Sequence, residues 1–185
     1  MIDRLGPPVQ RAYGGQNINR VVSPWRARTV HYASIMLGSL LPVFVMSAIM
    51  PVMPPIGYII FVAWRIMRPG LMPLWIGVPL GAFDDLFSGQ PFGSAILLWS
   101  LTMIVLEIIE ARFPWRGFWQ DWFTASVAIV LYICAAMAVS GASPSVPLAI
   151  VSVPQMLTVV LIYPFVARTI GWLDRFRLSR ARRIR

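Results

Sequence analysis

The chain has no lysine, and in 185 residues it carries one histidine, one cysteine and seven acids. Each shortage closes a class of function. One Cys and one His cannot supply the four ligands of a structural zinc site, and a lone cysteine forms no intrachain disulfide. His31 falls at the mouth of the first apolar span and Cys134 well inside the fifth, so they cannot act together as nucleophile and base. No glycine-rich phosphate loop and no HExxH motif occurs. We therefore expect no catalytic residue, no metal, no cofactor and no enzymatic activity. Charged residues make up only 12% of the chain against 58% hydrophobic. That balance, with a mean hydropathy of +0.71, is too apolar for a soluble domain of this length, which needs a charged surface to stay dissolved.

What is present in abundance is apolar sequence in runs. A membrane's hydrocarbon core is ~30 Å thick, so a helix needs about 20 apolar residues to cross it. Six spans fit: His31 to Met50, Pro54 to Met67, Leu71 to Phe87, Phe92 to Ala111, Phe118 to Val139 and Leu148 to Trp172. The expected fold is thus an all-α polytopic membrane bundle occupying residues 30–173. A disordered tail is expected over 1–29, without a leader peptide because it lacks an apolar stretch, and a basic tail over 174–185.

All sixteen basic residues are arginine. With six spans, all of them fall on one side: before the first span, at Arg65 and Arg68, at Arg112 and Arg116, and from Arg168 onward. Short cytoplasmic loops retain Arg, so both termini are expected inside. The second span is short, but deleting it would put Arg65 and Arg68 outside. It is kept as a crossing, with Arg65 snorkelling to the interface. Trp64, Trp75, Trp115, Trp119, Trp122 and Trp172 then form an aromatic belt near the cytoplasmic face. The terminal run RFRLSRARRIR, beside a span, reads as a topology signal touching the lipid bilayer and its anionic headgroups rather than as a nucleic-acid site.

The acids separate by depth. Glu107 and Glu110 share one helix face near the cytoplasmic end of the fourth span, where Arg112, Arg116 or Arg68 can pair with them; a proton or ion site is the alternative. Asp121 suits the first turn of the fifth helix. Asp84 and Asp85 lie about 13 residues beyond Leu71, hence ~20 Å along the third span, near the outer interface. At ~100° per residue both flank the face carrying Gly77 and Gly81. A Gly-xxx-Gly spacing lets helix backbones approach closely, so this face should meet protein. Asp85 can cap the exposed amides of the fourth helix across the turn Ser88 to Gly93, whereas Asp84 has no evident task. Small-residue spacings at Ser34 and Gly38, and at Cys134, Ala138 and Ala142, suggest further packing faces. Pro154, Gln155 and Thr158 form a kinked polar patch in the last span.

The stretch DDLFSGQPFG resembles the outer turn of the rod shape-determining MreD family. Its pattern falls on Asp85, Ser88, Gly89, Pro91 and Gly93, while Asp84 has no counterpart in it. The short second span ending in Arg68-Pro69, the glycine-spaced third span and a last span with Pro154 and Pro164 are similar to that layout; the family's frequent Asn between those prolines is absent, with Thr158 nearby. The resemblance implies a non-enzymatic scaffold of the cell-elongation machinery in the bacterial inner membrane. It further implies MreC as binding partner, and MreB, RodA and a class B penicillin-binding protein in the same complex. It also implies a bundle similar to the substrate-capturing subunits of energy-coupling-factor vitamin transporters, which makes a small-molecule binding subunit the alternative function.

Overall fold

The computed structural model describes residues 24–45, 54–113, 117–141 and 146–178. Among them are six α-helices and no strand: α1 (Pro24–Val45), α2 (Ile56–Met67), α3 (Gly77–Phe87), α4 (Ser94–Arg112), α5 (Phe118–Val139) and α6 (Val146–Leu178). By length and apolar composition α4, α5 and α6 can each cross a membrane. Their outward residues agree with that, since Leu101 and Ile108 on α4, Phe123 and Leu131 on α5, and Leu161 and Phe165 on α6 are all exposed. Apolar surface on this scale belongs in lipid rather than in water. The chain is a helical membrane protein.

The shortest apolar runs hold the middle of the bundle. Helix α2 packs against α1, α4, α5 and α6, and Tyr58, Ile59 and every residue from Phe61 to Ile66 are buried. A helix that is apolar all round is one that is enclosed. Lipid offers apolar side chains as good a solvent as a neighbouring helix does, so packing and hydrogen bonds must hold this centre together. The rings of Phe61 and Trp99 stack at 4.7 Å and those of Tyr58 and Tyr132 at 3.9 Å, each such pair contributing ~0.5–1.5 kcal/mol beyond its buried area. The Tyr58 hydroxyl pairs with that of Thr102 at 2.7 Å.

Consecutive helices alternate in direction. The start of α1 and the ends of α2, α4 and α6 meet at one pole, through the His31–Trp64 ring contact and the Arg65–Glu110 and Arg68–Asp174 ion pairs. The end of α3, the start of α4 and the end of α5 meet at the other, which we call the Asp85 pole.

Several expected boundaries move. The third helix begins at Gly77 rather than Leu71, because Pro69, a left-handed Gly70 (φ +75°) and an extended Pro73 (ψ 151°) break the chain before a short 3₁₀ turn at Leu74–Ile76. Helix α1 starts at Pro24, inside the segment expected to be irregular, and α6 runs to Leu178, past the boundary at 173. The expected end of the first span at Met50 lies outside the described residues, as do Trp115 and Ala142. Trp64 leaves the expected belt: it is fully buried and its Nε1 donates to Ser34 Oγ at 2.9 Å, whereas Trp75, Trp119 and Trp172 are exposed.

Candidate functional site

Helix α4 begins without a cap of its own. Gly93 precedes it in a left-handed conformation (φ +97°), and no local side chain meets the amides that open the helix. An α-helix leaves its first four N–H groups without internal partners, and its N-terminus carries partial positive charge. The Asp85 carboxylate, arriving from α3, fills that gap. It accepts from the amides of Gly93 at 2.9 Å, Ala95 at 2.8 Å and Ile96 at 3.2 Å, and from Ser94 Oγ at 3.2 Å.

The rest of the turn exists to allow this. The Ser88 amide closes α3 on the Asp84 carbonyl at 2.8 Å, Gly89 reverses the chain at φ +69°, and the Pro91 carbonyl accepts from the Ser94 amide at 3.0 Å. Every residue that carries the outer-turn pattern thus has a structural task. Asp85→Ala strips four donors of their acceptor, and charged hydrogen bonds of this kind contribute ~1.5–3 kcal/mol each when broken singly. We expect a loss of about 2–4 kcal/mol in total, because freed amides partly recapture water. A melting temperature of the purified Asp85→Ala chain equal to that of wild type would contradict the cap.

The glycine face is likewise occupied from within. A Cβ added to Gly81 would sit 2.7 Å from the Ala95 carbonyl oxygen, and one added to Gly77 would sit 2.8 Å from Ser100 Cα. This face does meet protein, but the protein is α4 of the same chain. The small residues Ser34 and Gly38 on α1 behave in the same way: a Cβ on Gly38 would lie 3.1 Å from Gly57 Cα of α2. By contrast Cys134 and Ala138 are exposed, and α5 packs instead through Ala125, Ile129, Tyr132, Ile133 and Ala136.

Asp84 points elsewhere. It is 8% exposed and lines a cavity of about 320 Å³ at the Asp85 pole, with Ser39 from α1, Gly57 from α2, Gln90 from the turn, Tyr132 from α5 and Gln155 from α6. Of the kinked patch in α6, only Gln155 takes part; Thr158 bonds back to the Pro154 carbonyl at 2.7 Å. Two adjacent acids therefore have separate tasks, one inside the α3–α4 contact and one on a cavity wall.

The other pole holds the charges. Arg65 does not snorkel: it is 2% exposed, and it forms ion pairs with both Glu107 and Glu110, the latter at 2.7 Å. These acids thus pair with an arginine of α2 rather than with Arg112 or Arg68, while Arg116 lies outside the described residues. Arg68 instead donates through Nε to Asp174 at 3.0 Å, and Asp174 also accepts from Arg177 at 2.9 Å. The sequence reading missed Asp174 altogether, although its i,i+3 spacing to Arg177 was a usable signal. His31 is buried beside Trp64, at the opposite pole from Cys134, which lies near the end of α5. No group of three or more His, Cys, Asp or Glu able to hold a metal occurs among the described residues.

No family model matches this chain, and no curated protein or solved structure matches it significantly.

Proposed function

We propose that this chain is a six-span, non-enzymatic scaffold of the bacterial cell-elongation machinery, set in the inner membrane with both termini in the cytoplasm. Its partner on this reading is MreC, within an assembly that includes RodA, a class B penicillin-binding protein and MreB. The observation that carries the reading is the outer turn: the residues it shares with the MreD pattern, Asp85 to Gly93, form one connected lock between α3 and α4. Arginine placement supports the orientation. The alternating helix directions support six crossings, with the short α2 enclosed by neighbouring helices.

Since α4 fills the glycine face, that face is not the partner surface. We assign the partner's single membrane helix to the groove between α4 and α5, about 430 Å³ in volume and lined by Leu101, Val105, Phe123, Val127 and Leu131 among others. Most of its lining is apolar, and the Tyr58 and Thr102 hydroxyls bond to each other, a surface that suits a hydrocarbon occupant. Val127→Trp is expected to lower MreC co-purification at least ~tenfold, equivalent to about 1.4 kcal/mol, while membrane levels of the chain hold. Unchanged recovery of MreC would remove the groove assignment.

Depletion in the native host tests the function itself. The expected result is loss of rod shape with dispersed wall synthesis; normal rods with normal labelling of nascent wall would overturn it. One observation favours the alternative, a small-molecule binding subunit of a transporter: the cavity that Asp84 lines is of ligand size. Loss of solute uptake on depletion, with rod shape retained, would favour that alternative.

A further inference from the structure

Apart from Asp84, each described acid whose contacts place it at a pole has its charge answered. Glu107 and Glu110 face Arg65, Asp174 faces Arg68 and Arg177, and Asp85 faces the amides of α4. Asp84 has neither a cation nor a backbone amide against it among the described residues, although it is more than nine-tenths buried. The Ser39 hydroxyl, also buried, lies on the same cavity wall.

No described residue lining the cavity supplies the missing cation. No arginine lies between residues 69 and 111 or between 117 and 167. Burying a carboxylate without a counter-charge costs several kcal/mol, so a cation from outside would stabilise its charged form.

The remaining chemistry narrows the choice. A divalent metal needs several oxygen ligands, and the oxygens of neighbouring Asp85 are already engaged by α4. An ammonium group carries three donors and no acceptor. Asp84, Ser39 and Gln155 offer oxygen acceptors from three different helices around one cavity. The rings of Phe87 and Tyr132 form apolar walls beside them. At about 320 Å³ the cavity is at the small end of ligand sites, which run from ~300 to 1,000 Å³.

We infer that this cavity binds a primary ammonium group, held by the Asp84 carboxylate and the Ser39 hydroxyl. That chemistry has two sources, an amine-bearing solute or the ethanolamine headgroup of a phospholipid. The inference goes beyond the scaffold reading. A chain that retains the amine but proves dispensable for rod shape would sink that reading and leave this site standing.

The test is native mass spectrometry of the full chain, ejected from nanodiscs of equal parts phosphatidylethanolamine and phosphatidylglycerol. One amine-bearing species per chain is expected. A phosphatidylethanolamine mass identifies the lipid source, and a smaller mass carried through purification identifies a solute. Asp84→Asn, close to isosteric, should lower retention at least ~tenfold, a change of about 1.4 kcal/mol. Ala136→Phe, which fills the cavity from α5, should do the same and carries the test if the first variant does not fold. Absence of any retained amine, retention unaffected by both variants, or retention of phosphatidylglycerol alone would each overturn the site.

Discussion

Gly81→Leu is expected to remove most of the folded protein from the membrane, at least ~tenfold by fluorescence-detected size exclusion, corresponding to about 1.4 kcal/mol or more. The reason is what the new side chain meets. Its first carbon would lie 2.7 Å from both the Ala95 carbonyl oxygen and Ile96 Cα, which are backbone atoms with no rotamer to yield. Overpacking a core costs ~1–3 kcal/mol when side chains can shift, and here a whole helix must move. Moving α4 away also draws the Gly93, Ala95 and Ile96 amides off the Asp85 carboxylate, so the packing loss and the cap loss arrive together.

Gly89 provides the matched comparison. An added Cβ there has no atom within 4 Å, so Gly89→Ala carries only the strain of its left-handed backbone, ~1–2 kcal/mol. We expect Gly89→Ala to be recovered well and Gly81→Leu poorly. Equal recovery of the two would contradict the close approach of α3 and α4.

How much of this could be read from the sequence differs by type of contact. Short-range features were legible. The cap by Asp85 follows from an acid placed shortly before a helix that starts without one, and the close packing at Gly77 and Gly81 follows from their spacing. Helices α4 and α5 begin and end within a residue or two of their apolar runs.

Long-range choices were not legible. Whether Arg65 turns outward or inward depends on which helices surround α2, and periodicity along a uniformly apolar segment carries no such information. The partner choice of Glu107 and Glu110 was misread for the same reason, since Arg112 is near in sequence while Arg65 is near in space. Trp64 was misplaced because a tryptophan at a helix end looks interfacial until its indole meets Ser34 of another helix. The third span, Leu71 to Phe87, is longer than α3 because Pro73 lies inside the apolar run and interrupts it before Gly77.

The Arg65 cluster is where the second large effect lies. Glu107→Gln with Glu110→Gln leaves a guanidinium that is 2% exposed with no negative partner. Breaking a buried pair by removing one side costs ~3–5 kcal/mol, mostly the cost of the charge left behind. The double variant should therefore be poorly recovered, or should melt well below wild type. The converse change is milder, because Glu107 is 54% exposed and Glu110 29%, so after Arg65→Met both acids can still be hydrated.

The decisive variant combines all three substitutions. With Met at 65 and glutamines at 107 and 110 no charge is buried, and replacing a buried ion cluster by apolar packing is often neutral or better. Recovery of the triple variant toward wild type, above the double, would establish that the loss came from an orphaned arginine. A triple variant as poor as the double would mean that the carboxylates hold α2 to α4 by some means other than charge, and the cluster would need a different account.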